Sequence, residues 1–138
     1  MKKLTVIILL VVLNLSLFSC SGGYGRFLSD FQSAAENGDL ASLLALTDPE
    51  ISAGAIEQCK TTDDLVVLLP FYYGLVSTSS QHFSIELKYK SKMETPDGSV
   101  FVFCDAYIGV SGIAGKQERS ICIETIKRGG KTYIRDIV

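Results

Sequence analysis

Tryptophan is absent, histidine occurs once (His82), and the four cysteines, Cys20, Cys59, Cys104 and Cys122, show no CxxC spacing. One histidine leaves no histidine pair for a metal, and the scattered cysteines support neither a zinc site nor a thioredoxin-like redox motif. No cofactor is implied. Basic charge is also scarce. The chain is formally −2, and without Lys2 and Lys3 the balance is 11 basic residues against 15 acidic, near −4. Nucleic acid calls for a basic surface, so it is not an expected partner. At 138 residues there is chain for one domain, and no internal repeat or low-complexity tract divides it.

The N-terminus departs from this plain composition. Lys2 and Lys3 precede an uncharged apolar run from Leu4 to Phe18, the layout of a secretory signal, and the run is short of the roughly 20 residues a membrane span needs. It closes on Leu17-Phe18-Ser19-Cys20, which resembles the lipobox of bacterial lipoproteins. There an aliphatic residue stands at −3 and a small one at −1, before the cysteine whose thiol accepts a diacylglyceryl group. The resemblance implies that residues 1–19 are removed and that Cys20 is lipidated. Two or three acyl chains would then hold the protein to a membrane, where one chain alone anchors only marginally. Phe18 at −2 departs from the usual small or aliphatic choice. Ser21-Gly22-Gly23-Tyr24-Gly25 reads as a short flexible tether, and no acidic residue follows Cys20. The expected location is the cell envelope, on the periplasmic side of the outer membrane. Residues 20–25 are read as lipidated tether and 26–138 as one α+β domain.

Within that domain the hydrophobic period changes once. Phe27, Leu28, Phe31, Ala34 and Ala35 fall at helical spacing, predicting a helix over 24–37 that stops at Gly38. Asp39 caps a second helix carrying Leu40, Leu43, Leu44 and Leu46, and Asp48-Pro49 interrupts or restarts it. Residues 49–59 are expected to be helical. A further helix, capped at Thr61, Thr62 or Asp63, runs toward Tyr73 with Pro70 kinking or ending it. From His82 onward the period is two, and Phe83, Ile85, Leu87 and Tyr89 alternate with Glu86, Lys88 and Lys90. Thr95-Pro96-Asp97-Gly98 is a turn, 100–110 a strand, and 111–115 a glycine-rich loop. A third strand over 119–128 turns at Gly129-Gly130 into a fourth, 131–138. The fold class is α+β, N-terminal helices packed on an antiparallel four-stranded meander.

Phe31-Gln32-Ser33-Ala34-Ala35-Glu36-Asn37-Gly38-Asp39-Leu40 and the closing hairpin Ile126-Lys127-Arg128-Gly129-Gly130-Lys131-Thr132-Tyr133-Ile134 resemble the nuclear transport factor 2-like, or SnoaL-like, family, in particular its small bacterial lipoproteins of unknown function. The resemblance implies a curved, cone-shaped domain. That fold hosts isomerases, cyclases, dehydratases and non-catalytic modules, so it fixes no function by itself.

Short turns predict registers. Closing on Pro96-Asp97 places Tyr89 opposite Cys104 and Leu87 opposite Ala106; closing on Gly129-Gly130 places Ile126 opposite Tyr133 and Glu124 opposite Arg135. Pairing Val110 with Lys116 sets Cys104 opposite Cys122. The face toward the helices then gathers Phe83, Ile85, Leu87, Tyr89, Val102, Cys104, Ala106, Ile108, Cys122, Ile126, Tyr133 and Ile137, with Glu124 and Arg135 as a cross-strand pair. The other face holds Glu86, Lys88, Lys90 and Lys92 beside Phe101, Phe103, Tyr107, Ile121, Ile123, Ile134 and Val138. So many large apolar residues on one face imply a cover, either a homodimer or an envelope protein partner. A slip of one residue on any strand would exchange the faces.

Candidate residues follow from that register. Tyr89, Glu124, Tyr133 and Arg135 form a candidate pocket for a small apolar ligand. Phe101, Phe103, Tyr107, Ile121 and Ile123 form a candidate interface. Cys104 and Cys122 are the natural disulfide in an oxidising compartment, with buried free thiols as the alternative. Lys88, Lys90 and Lys92 make an anion-binding stripe or a solubilising edge, Tyr72 and Tyr73 a pocket mouth or core. His82 reads as solvated. Two functions remain: a membrane-anchored, non-catalytic binding or interaction module, and a SnoaL-like or ketosteroid-isomerase-like enzyme with Glu124 as general base. Arg135 opposite Glu124 would make that base weak, which favours the module.

Overall fold

The computed structural model describes residues 23–138; the expected leader 1–19 and Cys20 lie outside the described residues. Helices come first and a four-stranded antiparallel sheet follows, in the order β1-β2-β3-β4. The fold is α+β.

Helix α1 (Gly25–Asn37) buries the stripe Phe27, Leu28, Phe31, Ala34 and Ala35. It ends at Gly38, whose φ of 59° is left-handed, and a Cβ there would stand 3.0 Å from the Ser77 carbonyl oxygen. Asp39 then caps α2 (Leu40–Leu46), accepting a hydrogen bond from the Ser42 N–H. The helical stretch expected over 49–59 is only α3 (Pro49–Ser52), followed by turns. Thr61 and Asp64 form a reciprocal capping box on α4 (Thr62–Leu68). That helix stops short of Tyr73: Pro70 lacks an amide hydrogen and Leu69 before it leaves helical geometry, so a 3-10 turn, Pro70–Tyr72, takes over.

The strands are β1 (Phe83–Glu94), β2 (Ser99–Val110), β3 (Lys116–Arg128) and β4 (Lys131–Ile137). The first hairpin has the predicted register, Leu87 opposite Ala106 and Tyr89 opposite Cys104, with a bulge between Tyr89 and Ser91. The second does not. Gly109, not Val110, stands opposite Lys116, so Cys104 faces Ile121 and Cys122 faces Phe103. This one-residue shift turns β3 over, because side chains alternate with period two. Ile121, Ile123 and Thr125 point to the helices, and Cys122, Glu124 and Ile126 point away. Closing the sheet, Ile126 pairs with Tyr133 as predicted, but a bulge between Glu124 and Thr125 sets Glu124 opposite Asp136 and leaves Arg135 as the extra residue.

Phe31, Leu43, Leu65 and Tyr72 from the helical half meet Ile85, Val102, Ile123 and Ile134 from the sheet, none more than 2% exposed. The Thr47 hydroxyl donates to the Leu43 carbonyl, so the Tyr72 hydroxyl, 2.6 Å away, donates to Thr47. Both sheet edges are partly covered. Along β1, Glu36 Oε1 accepts from the Ile85 N–H at 2.8 Å and Gln32 Oε1 from the Leu87 N–H at 2.9 Å. Along β4, Thr47 bridges to Ile134 and the Asp48 N–H donates to the Ile134 carbonyl. Because β4 pairs only as far as Val138 with Cys122, the Lys116–Ile121 stretch of β3 has no strand partner on that side among the described residues.

Candidate functional site

The four expected pocket residues do not converge. Tyr89 is half-buried on the helix side, whereas Glu124 and Tyr133 stand on the outward face and Arg135 occupies the β4 bulge. Arg135 Nη1 still reaches Glu124 Oε1, at 3.9 Å. The pair is thus kept, but moved from the interior to the outside of the sheet, by the glycine-flanked loop after β2: Gly112 and Gly115 both adopt left-handed φ and lengthen the connection.

The same correction reshapes the expected interface. Phe101, Phe103 and Tyr107 are outward, but Ile121 and Ile123 are buried under the helices. The outward face divides in two. Toward the loop after β2 it is polar: Lys90 pairs with Asp105 at 3.5 Å, and Lys88 with Glu86 at 3.8 Å. Toward the other end of the sheet Met93, Phe101, Phe103, Cys122, Ile126 and Val138 surround the Glu124–Arg135 pair and make the face mainly apolar; Met93 is 53% exposed, Phe103 36% and Val138 84%. The expected lysine stripe is split as well. The β1 bulge turns Lys92 to the helix side, where its Nζ lies 5.9 Å from the Tyr24 ring centre.

Beside the apolar half, at the β4 edge, lies a charged cluster that the sequence did not announce. Asp48, with a side chain 0% exposed, receives Arg128 Nε at 2.9 Å and Arg128 Nη2 at 3.2 Å, and Arg135 Nε lies at 3.5 Å. Arg128 also contacts Glu50 at 3.0 Å. Burial alone would raise the Asp48 carboxyl, but the Arg128 hydrogen bonds, the Glu50 N–H and the two guanidinium charges outweigh it and hold the group below its usual range. Asp48-Pro49 reads in sequence as a helix start, which it is. The one signal for its second role was Arg128 at the strand end, an arginine to which the sequence register assigns no facing acid.

The cysteines are apart. Cys104 points inward and Cys122 outward, so the register gives them no bond, and Cys59, Cys104 and Cys122 are all free. Burial pushes the Cys104 thiol up to about 11, with the Asp105 and Cys122 charges adding to it. Tyr72 is core, Tyr73 is 77% exposed, and His82 is exposed at the start of β1. No group of three His, Cys, Asp or Glu side chains among the described residues could hold a metal, and no helix among them is long and apolar enough to cross a membrane. Among the described residues one surface cleft, of about 480 Å³, is lined by Phe83, Val110, Ile113 and Lys116. Comparison with known protein families, curated proteins and solved structures gives no match.

Proposed function

We propose that this chain is a lipid-anchored, non-catalytic binding or interaction module of the bacterial cell envelope, built on a nuclear transport factor 2-like cone. One observation carries the reading: the side of the sheet that would line a cone is packed with the domain's own side chains, while apolar surface stands on the outward face around Phe103. The enzyme alternative has less support, because Glu124 lies on that outward face with Arg135 beside it. On this reading recognition belongs to the outer face, and the lipobox-like leader ending at Cys20 supports a membrane location.

A photo-crosslinking residue at Phe103, introduced into the full chain in living cells, tests this. The module yields a discrete adduct, either with a second copy or with another envelope protein, while the same group at the exposed Val67 of α4 yields none. Absence of an adduct at Phe103 overturns the interaction reading. Fatty-acid labelling that persists in Cys20→Ala overturns the lipid anchor.

A further inference from the structure

We infer that the end of the domain from which the tether leaves docks on an anionic phospholipid surface. This deepens the lipid-anchor reading and rests on it.

The tether is shorter than its glycines suggest. Tyr24 belongs to the core: it is 4% exposed, and its ring meets Phe27 edge-on at 6.2 Å. Only Ser21, Gly22 and Gly23 separate it from Cys20. A fully extended chain covers about 3.6 Å per residue, so the four steps from Cys20 to Tyr24 span roughly 14 Å at most. Acyl chains on Cys20 therefore hold this end of the domain against the headgroups.

That end is basic. Lys92 Nζ lies 5.9 Å and Lys127 Nζ 6.0 Å from the Tyr24 ring centre. Gly23 and Arg26 line one cleft, of about 470 Å³, with Asp30, Gly130 and Lys131. Four cations thus surround the point of departure, and the carboxylates near them are Asp30, Asp39, which shares a second cleft with Lys131, and Glu94, 3.7 Å from Lys92, so the cations outnumber them by one. Among the described residues, Arg26, Lys127 and Lys131 have no carboxylate within salt-bridge distance. Such a local excess runs against a domain of 11 basic and 15 acidic residues. Each basic residue near an anionic leaflet adds on the order of fivefold to binding, an attraction that fades within a Debye length. A tether of about 14 Å brings these side chains near that range.

The test uses the acyl-bearing mature protein, reconstituted in vesicles of phosphatidylcholine alone or mixed with phosphatidylglycerol. A water-soluble amine-acylating reagent is applied, and mass spectrometry reads Lys127 and Lys131 relative to Lys116, which lies at the opposite end of the sheet. Docking predicts a ratio that falls several-fold on the anionic vesicles only and recovers in high salt or in Arg26→Glu. The same ratio on both vesicles overturns it. Intact mass separates the two readings: an unacylated chain overturns both, whereas an acylated chain with an unchanged ratio overturns docking alone.

Discussion

Asp48 shows how a side chain can serve two elements at once. Its carboxylate caps α3 through the Glu50 N–H and holds Arg128 and Arg135, joining the helical half to the last two strands. Asp48→Ala is expected to cost about 2 kcal/mol in chemical denaturation, below the 3–5 typical of breaking a fully buried pair, because both guanidiniums keep about a third of their surface in water. The sign of the pH dependence follows. A carboxyl depressed in the folded state stabilises above its unfolded value of 3.8, and the gain is lost as pH falls through the folded value. Asp97, held down to about 2 by hydrogen bonds from Thr95 and Ser99, acts the same way. Melting temperature should therefore drop in acid below about pH 4, more gently in Asp48→Asn. The thiols give a second check at this scale. In the native protein a maleimide should modify Cys122 first, with Cys59 and Cys104 reacting only on unfolding; equal rates would contradict the inward placement of Cys104.

Among the elements, the α1–β1 edge contact is the least expected from sequence. Gln32 and Glu36 sit one helical turn apart and satisfy the N–H groups of Ile85 and Leu87, two residues apart on the strand. Replacing either acceptor with alanine should remove about 1 kcal/mol. Amide exchange at the matching N–H should speed up, while that at Val102, in the middle of the sheet, stays slow. The helix stripe, the caps and two hairpins were legible because each rests on local chemistry: Gly38 at a left-handed stop, Pro96-Asp97 in one turn, Gly129-Gly130 in the other. The loop between β2 and β3 was not. Gly112 and Gly115 permit loops of different length, and one residue there decides which way β3 faces. The corrective signal lay in β3 itself, where Ile121, Ile123 and Thr125 fit a core better than a set containing Glu124.

For the whole molecule, that single shift governs what the surface offers. It buries Ile121, Ile123 and Ile134, and it brings out Cys122, Ile126 and Tyr133, so on the outer face of the sheet the exposed apolar side chains gather in one half. The two faces make opposite predictions. Phe103→Ser, at a side chain 36% exposed, should cost about 1 kcal/mol, whereas Ile123→Ala should cost about 2–5; similar values by denaturant titration would restore the register expected from sequence. The candidate site was legible only as far as Phe101, Phe103 and Tyr107, since its other parts depend on long-range pairing.

The unpaired Lys116–Ile121 edge of β3 takes on weight if the chain lives on a bilayer. Proteins held by lipid diffuse in a plane, at one height, and collide side on far more often than in free solution. An open strand at a shared height is a template on which neighbours could zip into a ribbon. Here the open stretch carries Lys116, Glu118 and Arg119 in exposed positions. On a bilayer those charges would oppose such edge-to-edge pairing and keep a crowded layer of the molecules fluid.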